Sequence, residues 1–522
     1  MTAIIRIGMS TSDIAAGAEA TLSAIETYIN RRQLPIAIKR TGSLGVCHRE
    51  PVVEVEMGNQ STLYGPVTPE RVKPMLDQHF AAGNWEVPPD WVISRYNDRR
   101  DYPFLGKQFK LTTQLCGIID PNWLTDYLAH DGYQAFKLAL KMTPAAVVQA
   151  IKDSKLRGRG GGGFPTGIKW ELLRQKAAPK YLICNADEGD PGAFMDRATI
   201  EGDPHRLLEG MLIGAWATGA NVGYLYVRAE YPLAVKMLRS AIKQAAEYGF
   251  TGKNILGSGM DFEFIIKEGA GAFVCGEETA LMHSIEGKRG MPSMRPPYPA
   301  EHGLWGYPSN INNVETFASV PSIILNGADW FAKLGTPTSG GTKAFALAGA
   351  IKNSGLVEIP IGMSLRELVY DIGGGCKEGR DLKAVQLGGP SGGCIPQNLI
   401  DTRIDYDDLK ATGAIMGSGG LIVLDQTVSM VNMAHYFLTF TQQESCGKCL
   451  PCRVGTRKML AILKRFLRKD GSLADLEQLR ALCQTVGKTS LCGLGQTAPN
   501  PILTTLRYFE HEYMACLRAN AN

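Results

Sequence analysis

Apolar and polar positions recur with several different periods along the 522-residue chain, and the places where the period changes divide it. Residues 11–32 carry apolar side chains at helical spacing, IAIKRT at 36–41 reads as a strand, VVEVE at 52–56 and the Leu63-Tyr64 region as further short strands, and 69–82 as a helix. This βαβ-then-hairpin order predicts a small domain over residues 1–82. From 83 to 140 the pattern is broken by Pro88-Pro89-Asp90, the charged run at 97–101 and Pro103, so a connector with one short helix at 121–128 is expected. A buried strand at 181–184 (YLIC) is followed by a helix over 204–217, a strand over 222–228, a helix over 231–248 and a strand over 262–267. Such alternation predicts a parallel sheet with helices on both faces across 141–335. Short β segments at 344–350 and 385–393, with one helix between them at 364–370, indicate an α+β unit over 336–425. Helical periodicity returns at 428–440 and 459–467, so 426–522 is expected to be a helical bundle.

Composition narrows the class. With 44% apolar and 20% charged residues the chain has the make-up of an ordinary globular protein. Its 55 basic and 51 acidic residues leave a net charge of +4, too balanced to argue for nucleic acid or an anionic membrane as partner. The start, MTAIIRIGMSTSD, has no basic segment followed by an apolar one, so no secretory signal is evident. The uncharged stretch 210–227 contains four glycines and Asn221 and turns from helical to strand-like, which favours a buried α/β segment over a membrane span. Twelve cysteines without a secretion signal suggest reduced thiols or metal ligands, and a cytoplasmic location is expected.

Three stretches carry candidate chemistry. LRGRGGGGFPTGIKW at 156–170 follows a helix opened by Thr143-Pro144 and precedes another, so the weak G-x-G-x-x-G match at Gly158, Gly160 and Gly163 lacks the strand a Rossmann fingerprint requires. The glycines nevertheless let a ligand lie on backbone N–H groups, the following helix offers its positive end to a phosphate, and Lys169 adds a cation. The strand at 181–184 delivers Asn185, Asp187, Glu188 and Asp190 to its carboxyl end, where α/β sheets hold ligands. Near the C-terminus, SCGKCLPCR supplies Cys446, Cys449 and Cys452 at C-x2-C spacing, with Cys492 following forty residues later. Four such thiolates suit an iron–sulfur cubane, with a zinc site as the rival.

GRGGGGFPTGIKW, NADEGDPGAF, CGEETAL and NINNVET, in this order, closely resemble the NADH-oxidising flavoprotein subunit of respiratory complex I and its relatives in soluble NAD-linked hydrogenases and formate dehydrogenases, over roughly residues 140–520. TGSLGVCHREPVVEV resembles the second half of a thioredoxin-like [2Fe–2S] domain, but Ser43 stands where that domain has a cysteine and no C-x4-C pair lies upstream, so a docking module without a cluster is expected there. The implied fold class is α/β: an N-terminal thioredoxin-like domain, a Rossmann-like flavin and NADH domain, a ubiquitin-like (soluble-ligand-binding β-grasp) α+β domain, and a C-terminal helical bundle with an iron–sulfur cluster.

The resemblance implies FMN contacts at Gly161, Lys169, Asn185, Asp187, Glu188, Gly276, Glu277, Ile311, Asn312, Asn313 and Thr316, and NADH contacts at Phe164, Asp190, Glu278, Arg295 and Tyr298. It implies one [4Fe–4S] cluster on Cys446, Cys449, Cys452 and Cys492, iron being favoured because a flavin that takes hydride needs a one-electron outlet. No side chain is expected to act as general acid; Glu188 and Glu278 shape the pocket. Asp190 replaces a glutamate, Leu172 an aromatic ring, Phe273 a tyrosine and Arg295 a lysine. The expected host is a soluble NAD-dependent formate dehydrogenase, this chain being its β subunit. Its implied partners are a thioredoxin-like [2Fe–2S] small subunit and a large iron–sulfur subunit carrying the molybdenum formate site, with no direct membrane insertion. A hydrogenase diaphorase and a complex I subunit are the alternatives, and a degenerate nucleotide-binding scaffold is the alternative of another class.

Overall fold

Strands Ala3–Gly8 (β1), Ile36–Thr41 (β2), Val53–Met57 (β3), Gln60–Tyr64 (β4) and Val92–Tyr96 (β5) form one sheet in the order β2-β1-β3-β4-β5 in the computed structural model, which describes residues 3–518. β1 and β2 are parallel and the remaining pairs antiparallel. The pattern at 11–32 is divided into helices Thr11–Ala15 and Ala18–Arg32, because Gly17 turns left-handed (φ 104°) between them. β5 lies in the segment expected to be a connector: Pro88 and Pro89 stop short of it, and its partly buried residues pair with β4 as an edge strand. The sheet thus extends beyond residue 82.

This first unit is pinned to the rest by main-chain contacts. The Thr11 N–H donates to Glu201 Oε2 at 2.8 Å, His48 N–H to Ser354 O at 3.1 Å, and Leu356 N–H to Gly45 O at 3.0 Å. A Cβ on Gly42 would lie 2.3 Å from the Gly202 Cα, so the two backbones meet with no room for a side chain.

Tyr181–Ala186 (β6), Val222–Arg228 (β7), Glu263–Gly269 (β8) and Ser309–Asn313 (β9) make a wholly parallel sheet ordered β8-β7-β6-β9. Side chains of a strand alternate between faces, and here each face meets its own core. Leu182, Cys184, Leu225 and Val227 join a cluster with helices Pro204–Thr218, Pro232–Glu247 and Val314–Asn326. Ile183, Tyr226 and Ile311 point the other way, onto helix Glu278–Ile285. The uncharged stretch at 210–227 is the end of one of those helices plus β7, and among the described residues no helix is long and apolar enough to cross a membrane.

A third sheet, β11-β10-β14-β12-β13, is built from Thr342–Gly349 (β10), Gly355–Pro360 (β11), Leu382–Leu387 (β12), Gly393–Pro396 (β13) and Gly420–Asp425 (β14). Only its central β10–β14 pair is parallel, as in a β-grasp fold. Helices Met430–Gln443, Thr456–Leu467, Leu473–Thr489 and Asn500–Met514 enclose a core of Leu438, Met459, Leu463, Phe466, Leu479 and Tyr513.

Candidate functional site

The glycine loop joins helix Pro144–Asp153 to helix Thr166–Arg174, and it is braced from several sides. Gly158 N–H donates to Phe164 O at 2.9 Å, closing the loop on itself, and Arg157 Nε donates to Gly163 O at 2.6 Å. Arg159, a charged residue with no exposed surface, donates from Nη2 to Gly340 O at 2.6 Å, while its N–H donates to Thr316 Oγ1 at 2.9 Å. From the segments between β13 and β14, Tyr406, at the start of helix Tyr406–Thr412, donates to Gly158 O at 2.9 Å, and Gly417 bridges to Gly161. A Cβ on Gly163 (φ 62°) would strike the Tyr406 ring at 2.4 Å. Around Gly162 no atom lies within 4 Å of where a Cβ would sit, so one side of the loop is open to a ligand.

The carboxyl end of β6 and the start of helix Val314–Asn326 face this loop. Asn185 Nδ2 donates to Gly276 O at 2.9 Å and Asn185 Oδ1 accepts from Asp187 N–H at 3.0 Å, tying strand to neighbouring loop. Asp187 is buried, yet neither carboxylate oxygen has a hydrogen-bond partner, and Arg228 stands 4.0 Å away. Burial pushes its pKa up to about 7, against the pull of Arg228. An orphaned buried carboxylate beside Gly276, 3.6 Å from its Cβ position, is an acceptor suited to hydroxyl or N–H donors of a ligand.

Several expected contacts prove to be part of the frame. Glu188 is buried and accepts from Asp196 N–H (3.0 Å) and Arg197 N–H (3.1 Å); burial raises its pKa and these bonds lower it. The Ile311 side chain is in the core, and only its carbonyl turns outward, accepting from Lys169 Nζ at 2.6 Å. Asn312 Oδ1 accepts from Trp170 Nε1 at 2.9 Å, and Asn313 Oδ1 caps the next helix by accepting from Glu315 N–H at 2.9 Å. Glu277 caps helix Glu278–Ile285 through Thr279 and Ala280 N–H. Glu278 receives Lys169 at 2.5 Å and Arg295 at 3.3 Å, while Phe164 and Tyr298 are exposed. Asp190 accepts from Ser418 at 2.5 Å.

Sequence reasoning missed Arg159, Tyr406, Ser418 and the buried Glu315–Lys343 pair (2.5 Å), which anchors Ala344 N–H to the same helix start. Nothing local marked them; only the burial of a charge in a glycine-rich segment could have drawn notice to Arg159.

Behind the Gly276 loop lies a second pocket, lined by Cys446, Cys449, Cys452 and Cys492 together with Val274, Pro292, Ser445, Lys448, Leu491 and Leu494. Lys448 Nζ donates to Pro292 O at 2.6 Å and Phe273 N–H to Glu444 Oε2 at 2.8 Å, so the two pockets share one wall. Four thiols around one small, largely apolar pocket suit an iron–sulfur cluster held by thiolates. All twelve cysteines are free.

Three family models match: the Nuo51 FMN-binding domain over residues 151–322, the SLBB domain over 343–422 and the NADH-ubiquinone oxidoreductase-F iron-sulfur binding region over 432–516. The chain is 57% identical to the NADP-reducing hydrogenase subunit HndC of Solidesulfovibrio fructosivorans, over 78% of its own length and 84% of that protein's. It is 45% identical to an NADH-quinone oxidoreductase subunit of Rhizobium meliloti, over 76% and 94%. A solved NAD+-reducing [NiFe]-hydrogenase in the H2-reduced state matches at 30% identity and a TM-score of 0.71, over 99% of this chain and 85% of that one.

Proposed function

The chain belongs to the NADH-binding flavoprotein family represented among the NADH-quinone oxidoreductases, and on that premise we propose that it exchanges hydride between NAD(H) and FMN and passes electrons singly to or from a [4Fe–4S] cluster on Cys446, Cys449, Cys452 and Cys492. FMN supplies the two-to-one-electron chemistry when bound. The chain's own residues bind and insulate. The open side of the glycine loop and Lys169 take the phosphate end, Asp187 meets hydroxyl or N–H donors through its unpartnered oxygens, and Asn185, Asn312, Asn313 and Thr316 keep the loops in place. Phe164, Asp190, Glu278, Arg295 and Tyr298 form the nicotinamide nucleotide's mouth. The observation that carries the reading is the shared wall: Val274 of the flavin loop lines the four-cysteine pocket.

Glu278 favours NADH over NADPH, since a carboxylate at the mouth opposes an added 2′-phosphate. We take the host to be a soluble NAD-dependent formate dehydrogenase with a thioredoxin-like [2Fe–2S] small subunit and a large subunit holding the molybdenum site, in the cytoplasm. The second reading, a hydrogenase diaphorase, is favoured by the 57% identity to a hydrogenase subunit and by the 99% coverage in the hydrogenase structure. Purified with its native partners, the assembly should oxidise NADH with ferricyanide and reduce NAD+ with formate. Reduction with hydrogen but not formate selects the second reading, and an assembly without flavin absorbance that turns over no NADH defeats both.

A further inference from the structure

Asp190 is the one acid of the nucleotide mouth held by another domain. Ser418 Oγ donates to Asp190 Oδ2 at 2.5 Å, and a Cβ on Gly389 (φ 59°) would lie 2.9 Å from Asp190 Cγ, so the carboxyl group packs on bare main chain. Gly389 follows β12 and Ser418 precedes β14, so both lie in connections of the β-grasp domain. Gly417, beside Ser418, is the residue that bridges to Gly161, and Tyr406, over which the Arg157 guanidinium stacks at 4.4 Å, holds Gly158. One domain thus grips both the glycine loop and the acidic loop. No ion pair within 4 Å engages Asp190 among the described residues. Burial pushes its pKa up to about 6 and the Ser418 bond opposes that rise.

We propose that Ser418 is a positioning residue for nucleotide binding: its hydroxyl fixes the Asp190 carboxylate against Gly389, so that the β-grasp domain decides how this acid meets NAD(H). The inference rests on Asp190 belonging to the nucleotide mouth. A serine hydroxyl bonded to a carboxylate is a charge-assisted contact, the stronger kind of hydrogen bond, and it is the one hydrogen bond that the Asp190 carboxylate makes among the described residues. The shorter Asp190, where the family pattern has glutamate, makes the restraint matter more: its reach is less by one methylene, and it stands where Ser418 puts it.

The test is a double-mutant cycle in the holoenzyme with NADH and ferricyanide, with FMN content measured for every variant. Ser418→Ala should raise KM for NADH by about tenfold, leaving kcat within about twofold and FMN content unchanged. Ser418→Thr, which keeps the hydroxyl, should restore the parent KM. Asp190→Asn should raise KM as well, and Ser418→Ala added to it should change little further. A parental KM in Ser418→Ala, or effects of the two substitutions that simply add, overturns the positioning role. A parental KM in Asp190→Asn instead removes Asp190 from the nucleotide mouth, which is a failure of the functional reading and not of the serine's role alone.

Discussion

The surroundings of Cys47 and the pocket lined by Cys446, Cys449, Cys452 and Cys492 differ in what stands beside the sulfur. Beside Cys47 the space is taken by polar protein groups bonded to one another: Ser43 donates to Glu50 at 2.8 Å, Gly45 N–H donates to Ser43 Oγ at 3.0 Å, and Ser10 donates to Asp13 at 2.6 Å. Burial, then Glu50, push the Cys47 thiol up, so it is held neutral. Beside the C-terminal thiols the lining is mostly apolar, with Val274, Pro292, Leu491 and Leu494, and the N–H groups of Leu494 and Gly495 face the Cys492 sulfur. A cluster site therefore requires more than a thioredoxin-like fold and a cysteine. It requires several thiolates, donors aimed at sulfur, and no internal network that satisfies itself in the cluster's place.

Removing one thiol should give the largest effect. In the complete assembly, Cys492→Ala should abolish the cluster's electron paramagnetic resonance signal and electron flow between subunits, while NADH still bleaches the flavin. An assembly that keeps full formate- or hydrogen-driven NAD+ reduction would erase the distinction between the pockets. Lys169→Ala comes next: losing a charge-assisted donor should weaken FMN retention by roughly tenfold or more, measured as flavin released on dialysis, with the cluster signal intact. Loss of both cofactors together would mean that the flavin site and the four-cysteine pocket do not load independently.

A pH experiment sharpens the other side of the comparison. Burial, reinforced by Glu50, raises the Asp13 carboxyl well above the usual range, with Ser10 opposing. A raised folded pKa means that the fold binds a proton that the unfolded chain has released, so stability falls as pH climbs from the usual carboxylate range towards neutrality. Asp13→Asn cannot titrate. Its Tm relative to the parent should improve steadily from about pH 4 to about pH 8, and a difference independent of pH would show that Asp13 is charged in the fold. The smallest expected effect is none: Cys47→Ala should leave iron content and the number of paramagnetic signals unchanged, and loss of a second centre would place a cluster in the first domain.

Apolar periodicity made most of the scaffold legible. β6, β7 and β8 were readable because a parallel sheet buries both faces of its strands and writes them as apolar runs. β9 is part of the same sheet yet reads SNINN, and its asparagines at 312 and 313 are bonded to Trp170 and a helix start. A strand whose polar side chains find buried partners has no hydrophobic signature. β5 was hidden for a related reason: an edge strand with half-buried side chains and Arg95 looks like a loop. Within the site, motif reading named the flavin set, and of that set the Glu188 carboxylate and the Ile311 side chain are buried, Glu188 accepting from Asp196 and Arg197 N–H. Ser418 and Tyr406 reach the cleft from more than two hundred residues away, a pairing that no local window contains.

Gly42 and Gly202, whose backbones meet, leave the joint between the first unit and the flavin unit with no slack. A flexible tether would let the thioredoxin-like unit sample many orientations and meet a neighbour by swinging. Here it is a keel, fixed at the moment of folding, and any protein that docks beside it must accept the angle it already has. Adding a methyl group to Gly42 would therefore be felt as a change of bearing between two pieces, readable at long range, before it is felt as a loss of core.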